Sequence, residues 1–284
     1  MYDITASIVT FKNDKDILKK AIDSFLRTDL KSHLYVIDNS PTDDLNNVCA
    51  CRNVEYIFIN DNLGFGAGHN IAIGKSIGES KYHLVLNPDI FFEPGTLEKL
   101  FNFMEENKEV GLVMPKICYT DGSTQYLCKL LPTPIDLILR RFNLKILRAI
   151  FKKRLQNYEL RFTGYGKIMD VPHLSGCFMF MRRDIFEKVG IFDERFFMYL
   201  EDVDLSRRIH RHYRTVYFTE AVIYHRYEKG SYKNLKHLKH HIFSTVKYFN
   251  KWGWLFDKER DQINSRILEH LKSISPLHKN AYCV

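Results

Sequence analysis

Short runs of apolar, β-branched residues alternate with amphipathic segments along the first ninety residues. Four of these runs predict buried strands at residues 4–10, 33–37, 54–59 and 82–86. Between the first two strands, apolar residues recur every three or four positions over 17–26, which predicts a helix capped by Asn13 or Asp14. Alternation of this kind is typical of a parallel sheet covered by helices on both faces. The pattern therefore predicts an α/β fold.

Longer helical patterns dominate the rest of the chain. Helices are expected at 97–104, over much of 132–156, at 184–189, and from Glu201 to about Tyr213. Further strands are expected at 110–114, at 171–181 with an interruption at Ser175–Gly176, at 215–219 and at 221–225, and two more helices at 234–250 and 257–271. Without a repeat or a convincing linker, the sequence predicts one compact domain over 1–232 and a helical extension over 233–284. Within the domain, 1–90 form one half and 91–232 the other, with a basic helical insertion at 132–161.

Composition places the chain among ordinary globular proteins, with 45% hydrophobic and 27% charged residues in 284. No stretch approaches the 18 or so consecutive apolar residues of a transmembrane helix. The start of the chain lacks the basic leader and apolar core of a signal peptide, so a cytoplasmic location is expected. Six scattered cysteines form no framework, which favours free thiols in a reducing compartment.

The net charge of +8 is concentrated in the insertion. Residues 129–161 hold nine Lys or Arg against Asp136 and Glu159, a local charge of +7. Such clustering indicates an anionic partner: lipid head groups, a phosphorylated substrate or nucleic acid. A basic amphipathic insertion fits a helix lying on the inner face of an anionic membrane. A solvated basic face with an apolar stripe packed on the core explains the same pattern.

Polar residues follow the predicted strands at four places, Thr10, Asp38, Asn62 and Asp89. Ligands of parallel α/β sheets bind beyond the carboxyl ends of the strands, so this coincidence indicates a ligand crevice. The Asp38 carboxylate suits the ring N–H of a pyrimidine base, although an Asx-turn also explains it. Asp89 suits a divalent cation that bridges two phosphates, although a strand-ending turn explains Pro88–Asp89 as well.

Three carboxylates, Glu201, Asp202 and Asp204, open the helix predicted from residue 201. Helix capping explains them, and so does a carboxylate positioned to accept a proton. The glycine-rich loop at 64–68 opens another helix but fits neither common phosphate-binding pattern; close approach of a substrate and a simple tight loop both explain it. His225, which closes a strand, is either a structural residue or a ligand.

Six motifs occur in a fixed order: T-F, V-I-D-N-S, N-x-G-F-G-A-G-x-N, L-N-P-D, S-G-x-F-M-F-x-R-R and G-x-F-D-E-x-F-F-M-Y-x-E-D-x-D-L. The series, completed by H-x-x-x-x-G-S, resembles the family-two inverting glycosyltransferases of the GT-A fold. It is most similar to the bacterial rhamnosyltransferase-like branch that builds O-antigen and capsule polysaccharides. The resemblance covers about residues 3–232. It implies a Rossmann-like, mostly parallel sheet flanked by helices, with a helical C-terminal tail.

The resemblance also implies roles for individual residues. Asp202 is expected to be the catalytic base, and the residues expected to contact the acceptor or support the base are Glu201, Asp204, Ser175 and Gly176. Those expected to bind the donor are Thr10, Phe11, Asp38, Asn62, Gly64, Asn70 and Asn87. Asp89 and His225 are expected to hold Mg²⁺ or Mn²⁺. Many relatives carry Asp where this chain has Asn87, so the metal has one carboxylate fewer.

The implied reaction is transfer of a sugar, L-rhamnose from dTDP-rhamnose, to a hydroxyl of a lipid-linked or growing cell-surface polysaccharide. Lipid-linked acceptors agree with peripheral contact between the insertion and an anionic membrane. The alternatives are a transferase that uses a UDP-hexose, a nucleotidyltransferase and a nucleic-acid-binding module. The confinement of positive charge to one insertion and the lack of a recognised motif argue against nucleic acid.

Overall fold

The computed structural model describes residues 1–141, 149–226 and 235–274, in which nine strands form one sheet flanked by helices. The strands are β1 Tyr2–Thr10, β2 Ser32–Asp38, β3 Val54–Phe58, β4 Ser80–Leu86, β5 Ile90–Phe92, β6 Val110–Cys118, β7 Met169–Asp170, β8 Phe178–Arg182 and β9 Arg214–His225. The helices before the Ser175–Gly176 turn are α1 Lys15–Leu26, α2 Asn46–Cys49, α3 Phe65–Ser76, α4 Thr96–Glu106, α5 Pro134–Arg141 and α6 Lys152–Tyr158. Those after it are α7 Ile185–Val189, α8 Glu201–His210, α9 Leu235–Trp252 and α10 Lys258–Ile274.

The strand order is β3-β2-β1-β4-β8-β6-β9-β5, and β7 pairs with β9. The first four strands are all parallel, whereas β8 runs antiparallel to both of its neighbours, β4 and β6. The α/β prediction is confirmed, with a parallel first half and a mixed second half. Because β1 to β4 run in one direction, their carboxyl ends meet at one edge of the sheet.

The core beneath α1 forms because one face of β1 is apolar. Ile4, Ala6 and Ile8 of β1 are fully buried, and Leu18, Ile22 and Phe25 of α1 belong to the same apolar cluster. The N-cap of α1 is Asp14, whose carboxylate accepts the N–H groups of Asp16 and Ile17 at 3.0 Å each. Capping and the apolar stripe together explain why α1 begins and packs where the sequence predicts.

The later strands differ in part from the predictions. The interruption expected at Ser175–Gly176 is present, but the residues before it form only an isolated bridge at His173, and β8 begins at Phe178. Residues 215–225 form the single strand β9, since its pairing with β6 shifts register between Pro115 and Lys116 and absorbs the residues between the two predicted strands. The short strand β5 was not predicted, as three residues give too little pattern.

The basic insertion contains α5 and α6, and its residues 142–148 lie outside the described part of the chain. Some of its charge is neutralised internally. Arg154 pairs with Asp136 at 2.7 Å, and Glu159 pairs with both Arg140 and Arg161. None of the helices in the described ranges is long and apolar enough to cross a membrane.

The predicted C-terminal helices are confirmed as α9 and α10, and α8 ties them to the sheet domain. The Arg207 side chain is only 1% exposed and donates two hydrogen bonds of 2.7 Å to Asp257, which precedes α10. Asp204 accepts hydrogen bonds from Trp252 Nε1 at 2.8 Å and Lys251 Nζ at 2.7 Å. The helical extension is therefore packed onto α8 and so onto the sheet domain.

The buried pair between Arg207 and Asp257 predicts a large stability effect. Asp257→Asn leaves the buried guanidinium with only the half-exposed Glu259 as an ionised partner, so the free energy of unfolding is expected to fall by about 3 kcal/mol. Urea unfolding followed by circular dichroism measures this change. Asp23→Asn, which removes an exposed i,i+4 partner of Lys19, is the control and should leave the unfolding midpoint unchanged. Equal midpoints for the two variants would show that the buried pair is not essential.

Candidate active site

A cavity of about 1410 Å³ opens at the edge where the carboxyl ends of β1, β2 and β4 meet. Eleven of the fourteen residues singled out from the sequence line it: Thr10, Phe11, Asn62, Gly64, Asn87, Asp89, Ser175, Gly176, Glu201, Asp202 and His225. The parallel first half contributes one wall, and the 175–176 turn and the start of α8 contribute another. The parallel half of the sheet thus contributes polar strand ends to the cavity, and the other half contributes the acidic residues at the start of α8.

The Asp202 carboxylate is held by the backbone of the Ser175–Gly176 turn, which lies just before β8. Gly176 N–H donates to its Oδ2 at 2.9 Å, and His173 Nε2 lies 3.4 Å from the same oxygen. A Cβ at residue 176 would lie 3.0 Å from the Asp202 Cβ, so glycine is the residue that allows this approach. The other oxygen, Oδ1, accepts the N–H of Val203 at 2.8 Å.

The environment of Asp202 favours its ionised form. Burial alone raises its pKa, but His173, the Gly176 N–H and the Lys129 ammonium outweigh burial and bring the pKa to about 2. Burial also lowers the pKa of His173, so the imidazole is largely neutral at neutral pH and acts as a dipole. The His173 ring, the Gly176 N–H and the Lys129 ammonium therefore act together to favour the ionised form of Asp202.

The neighbouring carboxyl, Glu201, has the opposite preference. It is buried, and burial together with the charge of Asp202 raises its pKa well above the usual range. Its Oε2 has no hydrogen-bond partner in the described structure, although the residue lines the cavity. At neutral pH the pair consists of a neutral acid and an ionised carboxylate side by side, as expected when environments separate two carboxyl pKa values.

Lys129 and His173 were missed by the sequence reasoning. Both are buried, and their segments pair through an isolated bridge in which Lys129 N donates to His173 O at 3.1 Å. Burial and the nearby Arg140 lower the pKa of Lys129 to about 8, so it keeps most of its charge near neutral pH. Neither residue belongs to a periodic pattern, and only the long-range pairing reveals that they support Asp202.

A second polar pair, Asp89 and His225, lies in the same cavity. His225 Nε2 lies 3.3 Å from Asp89 Oδ1, and among the described residues this oxygen has no hydrogen-bond partner. His225 Nδ1 lies 3.0 Å from Gln125 Oε1, and Gln125 Nε2 donates to the His225 carbonyl at 2.9 Å. The glutamine fixes the ring with Nε2 towards Asp89, as outer-shell partners do at metal sites.

A carboxylate oxygen and an imidazole nitrogen suit a divalent cation completed by phosphate oxygens and water. The described residues contain no group of three His, Cys, Asp or Glu side chains placed to hold a metal ion. The pair fits a cation that needs the substrate for the rest of its coordination. It does not form a closed structural metal site.

The glycine-rich loop is shaped by one close backbone approach. Gly64 has a φ of +87°, and a Cβ there would lie 2.2 Å from the Phe197 carbonyl oxygen. That carbonyl accepts the N–H of Phe65 at 2.9 Å, while Asn62 Oδ1 accepts the N–H of Gly64 at 3.1 Å. The loop is thereby locked against the segment that leads into α8.

Three residues predicted for the site lie outside the cavity lining. Asp38 is fully buried and its two oxygens accept from Ser40 N–H and Tyr56 O–H, at 2.9 and 2.7 Å. Asn70 joins α3 to the backbone at Phe192 through both ends of its amide. Asp204 is fully buried and binds the C-terminal helices. Each of these side chains holds neighbouring segments of the chain together through the contacts described.

Asn39, which follows Asp38, does line the cavity beside Thr10. Its Nδ2 donates to the Gly64 carbonyl at 3.2 Å, and its buried Oδ1 has no hydrogen-bond partner in the part of the chain that the structure describes. The sequence predicts a turn at Asp38–Asn39–Ser40, which includes this position, but the expected contact with a base was assigned to the Asp38 carboxylate. Asn39 therefore adds an acceptor oxygen to the cavity lining beside the predicted Thr10.

Comparison with known proteins decides the family. The sequence pattern of glycosyl transferase family 2 matches residues 7–190, more than half of the chain. The chain belongs to glycosyl transferase family 2. This membership favours glycosyl transfer over the nucleotidyltransferase and nucleic-acid-binding alternatives.

Curated relatives extend the match beyond residue 190. The N-acetylglucosaminyl-diphospho-decaprenol L-rhamnosyltransferase of Mycobacterium tuberculosis is 30% identical over 239 residues, 78% of this chain and 75% of that protein. Rhamnosyltransferase WbbL of Escherichia coli is 24% identical over 91% of this chain and 97% of its own length. Low-salt glycan biosynthesis hexosyltransferase Agl10 of Haloferax volcanii is 26% identical over 74% of this chain, and the match spans only 62% of Agl10.

Solved structures agree on the fold. The crystal structure of GalNAc-T7 with UDP, GalNAc and Mn²⁺ has a TM-score of 0.60 at 13% identity, covering 81% of this chain and 44% of that chain. The crystal structure of Staphylococcus aureus TarS residues 1–349 has a TM-score of 0.57 at 16% identity, covering 99% of this chain and 75% of that chain. The GT-A fold expected for this glycosyltransferase is confirmed.

The raised pKa of Glu201 predicts a pH-dependent stability. The neutral acid favours folding below the ordinary glutamate pKa, and this contribution is lost as pH rises towards the raised value. As pH rises above the ordinary glutamate range, the wild type should lose unfolding free energy relative to Glu201→Gln, by at most about 1.4 kcal/mol per pH unit. Asp202 does not contribute in this window, because its lowered pKa acts only at acidic pH.

Urea unfolding at several pH values measures the difference. The exposed Glu187→Gln is the matched control and should follow the wild type throughout. Parallel curves for wild type and Glu201→Gln would contradict a neutral, buried Glu201.

Proposed function

We propose that this glycosyltransferase moves L-rhamnose from dTDP-rhamnose, with inversion, onto a hydroxyl of a lipid-linked or growing cell-surface polysaccharide. The observation that carries the proposal is the ionised Asp202 in the same cavity as the Asp89–His225 pair. Asp202 provides a base for the acceptor hydroxyl, and the Asp89–His225 pair provides a cation site for the diphosphate of the donor. Inverting transfer requires both functions, one on each side of the reacting sugar carbon.

Asp202 accepts the proton of the attacking hydroxyl. Its Oδ2 is turned to the 175–176 backbone at 2.9 Å, which fixes the carboxylate before a substrate arrives. A positioned general base of this kind typically contributes about 10²–10⁴-fold to the rate. Ser175 and Gly176 line the acceptor side next to it.

Glu201 serves the acceptor as a hydrogen-bond donor. A carboxyl kept neutral by burial and by its charged neighbour has a proton to donate, and its unpartnered Oε2 leaves that capacity unused in the protein. A sugar hydroxyl that accepts from Glu201 and donates to Asp202 would be oriented by both. The two carboxyls thus differ in role because they differ in charge.

Asp89 and His225 would hold Mg²⁺ or Mn²⁺, and Gln125 orients the imidazole. The bound cation supplies positive charge for the leaving diphosphate. Asn87 lies in the same wall and offers a neutral amide where many relatives have a second carboxylate. Because the protein supplies few charged ligands, the metal binds more tightly with the nucleotide than without it.

The donor base fits between Thr10, Phe11 and Asn39. Phe11 is half-exposed and offers a ring face for stacking, while the free capacity of Asn39 Oδ1 suits an N–H such as that of thymine or uracil. The choice of thymidine and rhamnose rests on the relatives named as rhamnosyltransferases. The acceptor class rests on the diphospho-decaprenol named for the mycobacterial relative.

A hexose donor is the second candidate, because Agl10 is named a hexosyltransferase. The observed contacts to the base do not distinguish thymine from uracil. Discrimination must come from the sugar and from the methyl group of thymine.

A donor screen tests the proposal. With Mg²⁺ or Mn²⁺ present, slow hydrolysis of dTDP-rhamnose should release dTDP, and the rate should exceed that with UDP-hexoses. Asp89→Asn should raise the metal concentration needed for half-maximal activity, since it removes the carboxylate that binds the cation. Asp121→Asn, an exposed carboxylate outside the cavity lining, is the control. NMR of a transferred sugar reports its anomeric configuration, and retention or preference for a UDP-hexose would contradict the proposal.

A further inference from the structure

The helix α9 presents two different faces. Its inner face contacts the segment that leads into α8. Ser244 Oγ donates to the Met198 carbonyl at 2.8 Å, and the rings of His240 and Phe197 stack with centroids 4.5 Å apart. Near the start of the helix, His237 lines the cavity and lies 3.2 Å from the Tyr199 hydroxyl. The inner face thus forms part of the wall of the active-site cavity.

The outer face of α9 is apolar and exposed. Ile242, Phe243 and Val246 lie at helical spacing on this face, with 49%, 54% and 39% of their surfaces exposed. One turn later Asn250 accepts a 2.8 Å hydrogen bond from Trp254 Nε1, which places the indole in line with them. Leu255 and Phe256 follow, 73% and 95% exposed. We call these six apolar residues the outer stripe.

Positive charge surrounds the outer stripe. Residues 235–256 contain four lysines and three histidines and no aspartate or glutamate. Lys239 and Lys247 are exposed on the same helix, and the Lys239 ammonium lies 5.7 Å from the centre of the Phe243 ring. A contiguous exposed apolar surface with a basic rim is the signature of an interaction site.

We propose that the outer stripe docks onto the surface of an anionic membrane. The sequence of Trp, Phe and Leu residues with flanking lysines is the chemistry of an interfacial helix that lies in the plane of the head groups. A second copy of the chain fits less well, because a symmetric contact would bring the same lysines together without acidic partners. No described helix crosses a bilayer, so the contact is superficial.

The position of the stripe gives the contact a consequence. α9 separates the membrane from the cavity by the thickness of one helix, and its first turns reach the cavity lining through His237. An acceptor anchored in the same bilayer would therefore meet the cavity near its anchor. This consequence rests on the proposed lipid-linked acceptor, whereas the docking itself does not.

The site differs from the one expected from sequence. The basic insertion also exposes apolar residues, Ile135 and Ile138 of α5, at 49% and 51%. Arg140, Arg154 and Arg161 of the insertion pair with Asp136 or Glu159, and Lys251 at the end of α9 pairs with Asp193 and Asp204. Among the described residues, Lys239 and Lys247 beside the outer stripe form no ion pair with a carboxylate, and Lys247 donates to the Arg195 carbonyl. Charge complementarity therefore favours α9 over α5.

Flotation with lipid vesicles tests the proposal on the full chain without substrate. The protein should bind vesicles of phosphatidylcholine and phosphatidylglycerol in equal parts, bind pure phosphatidylcholine weakly, and dissociate as salt is raised. Phe243→Ser combined with Phe256→Ser should weaken binding to the mixed vesicles roughly tenfold or more. Lys239→Gln combined with Lys247→Gln should reduce the salt-sensitive part of binding.

Ile135→Ser combined with Ile138→Ser is the matched control, because it removes apolar surface of similar exposure from α5. Wild-type binding by this control supports the outer stripe; loss of binding here and not in the phenylalanine variant would overturn it. Light scattering gives the oligomeric state of each variant. A dimer that the phenylalanine substitutions dissociate, without vesicle binding by the wild type, would assign the stripe to a second copy instead. Because vesicle binding needs no turnover, its failure leaves the donor screen unaffected.

Discussion

The hydrogen bond from Gly176 N–H to Asp202 Oδ2 is the contact on which the site depends. It fixes a carboxylate of the first turn of α8 against the Ser175–Gly176 backbone, just before β8 begins at Phe178. The same bond, with the Lys129 ammonium nearby, keeps Asp202 ionised in a buried position where burial alone would favour the neutral acid. The charge of Asp202 in turn helps to keep Glu201 neutral. A single backbone N–H thus contributes to both protonation states.

Helix α8 links this site to the C-terminal helices. Residues two apart on a helix point in different directions. Asp202 therefore faces the cavity, while Asp204 accepts hydrogen bonds from Trp252 and Lys251. Arg207, one turn later, is buried against Asp257. The helix thereby connects the chemistry to α9, whose other face carries the exposed outer stripe, so that the position of the cavity and the position of a docking surface are set by one element.

The fold followed from the sequence where patterns were local. Strands β1 to β4 and helices α1, α9 and α10 come from apolar periodicity, and the edge where polar residues gather follows from parallel pairing. The side-chain roles were less predictable. Asp38 and Asn39 are adjacent and both polar, and only the contact of Asp38 with Tyr56 shows which of them is already occupied. Lys129 and His173 come together through pairing between distant segments, for which a single sequence gives no signal.

The central claim is that Asp202, ionised, takes the acceptor proton while its neighbour stays neutral. The most direct measurement compares the single-turnover transfer rates of Asp202→Asn and Glu201→Gln with the wild type, on protein shown by circular dichroism to be folded. Asp202→Asn should slow transfer by about 10²–10⁴-fold, because it removes the base. Glu201→Gln keeps a neutral hydrogen-bond donor of nearly the same shape and should transfer at close to the wild-type rate. Near-normal transfer by Asp202→Asn, or an equal loss in Glu201→Gln, would contradict the account.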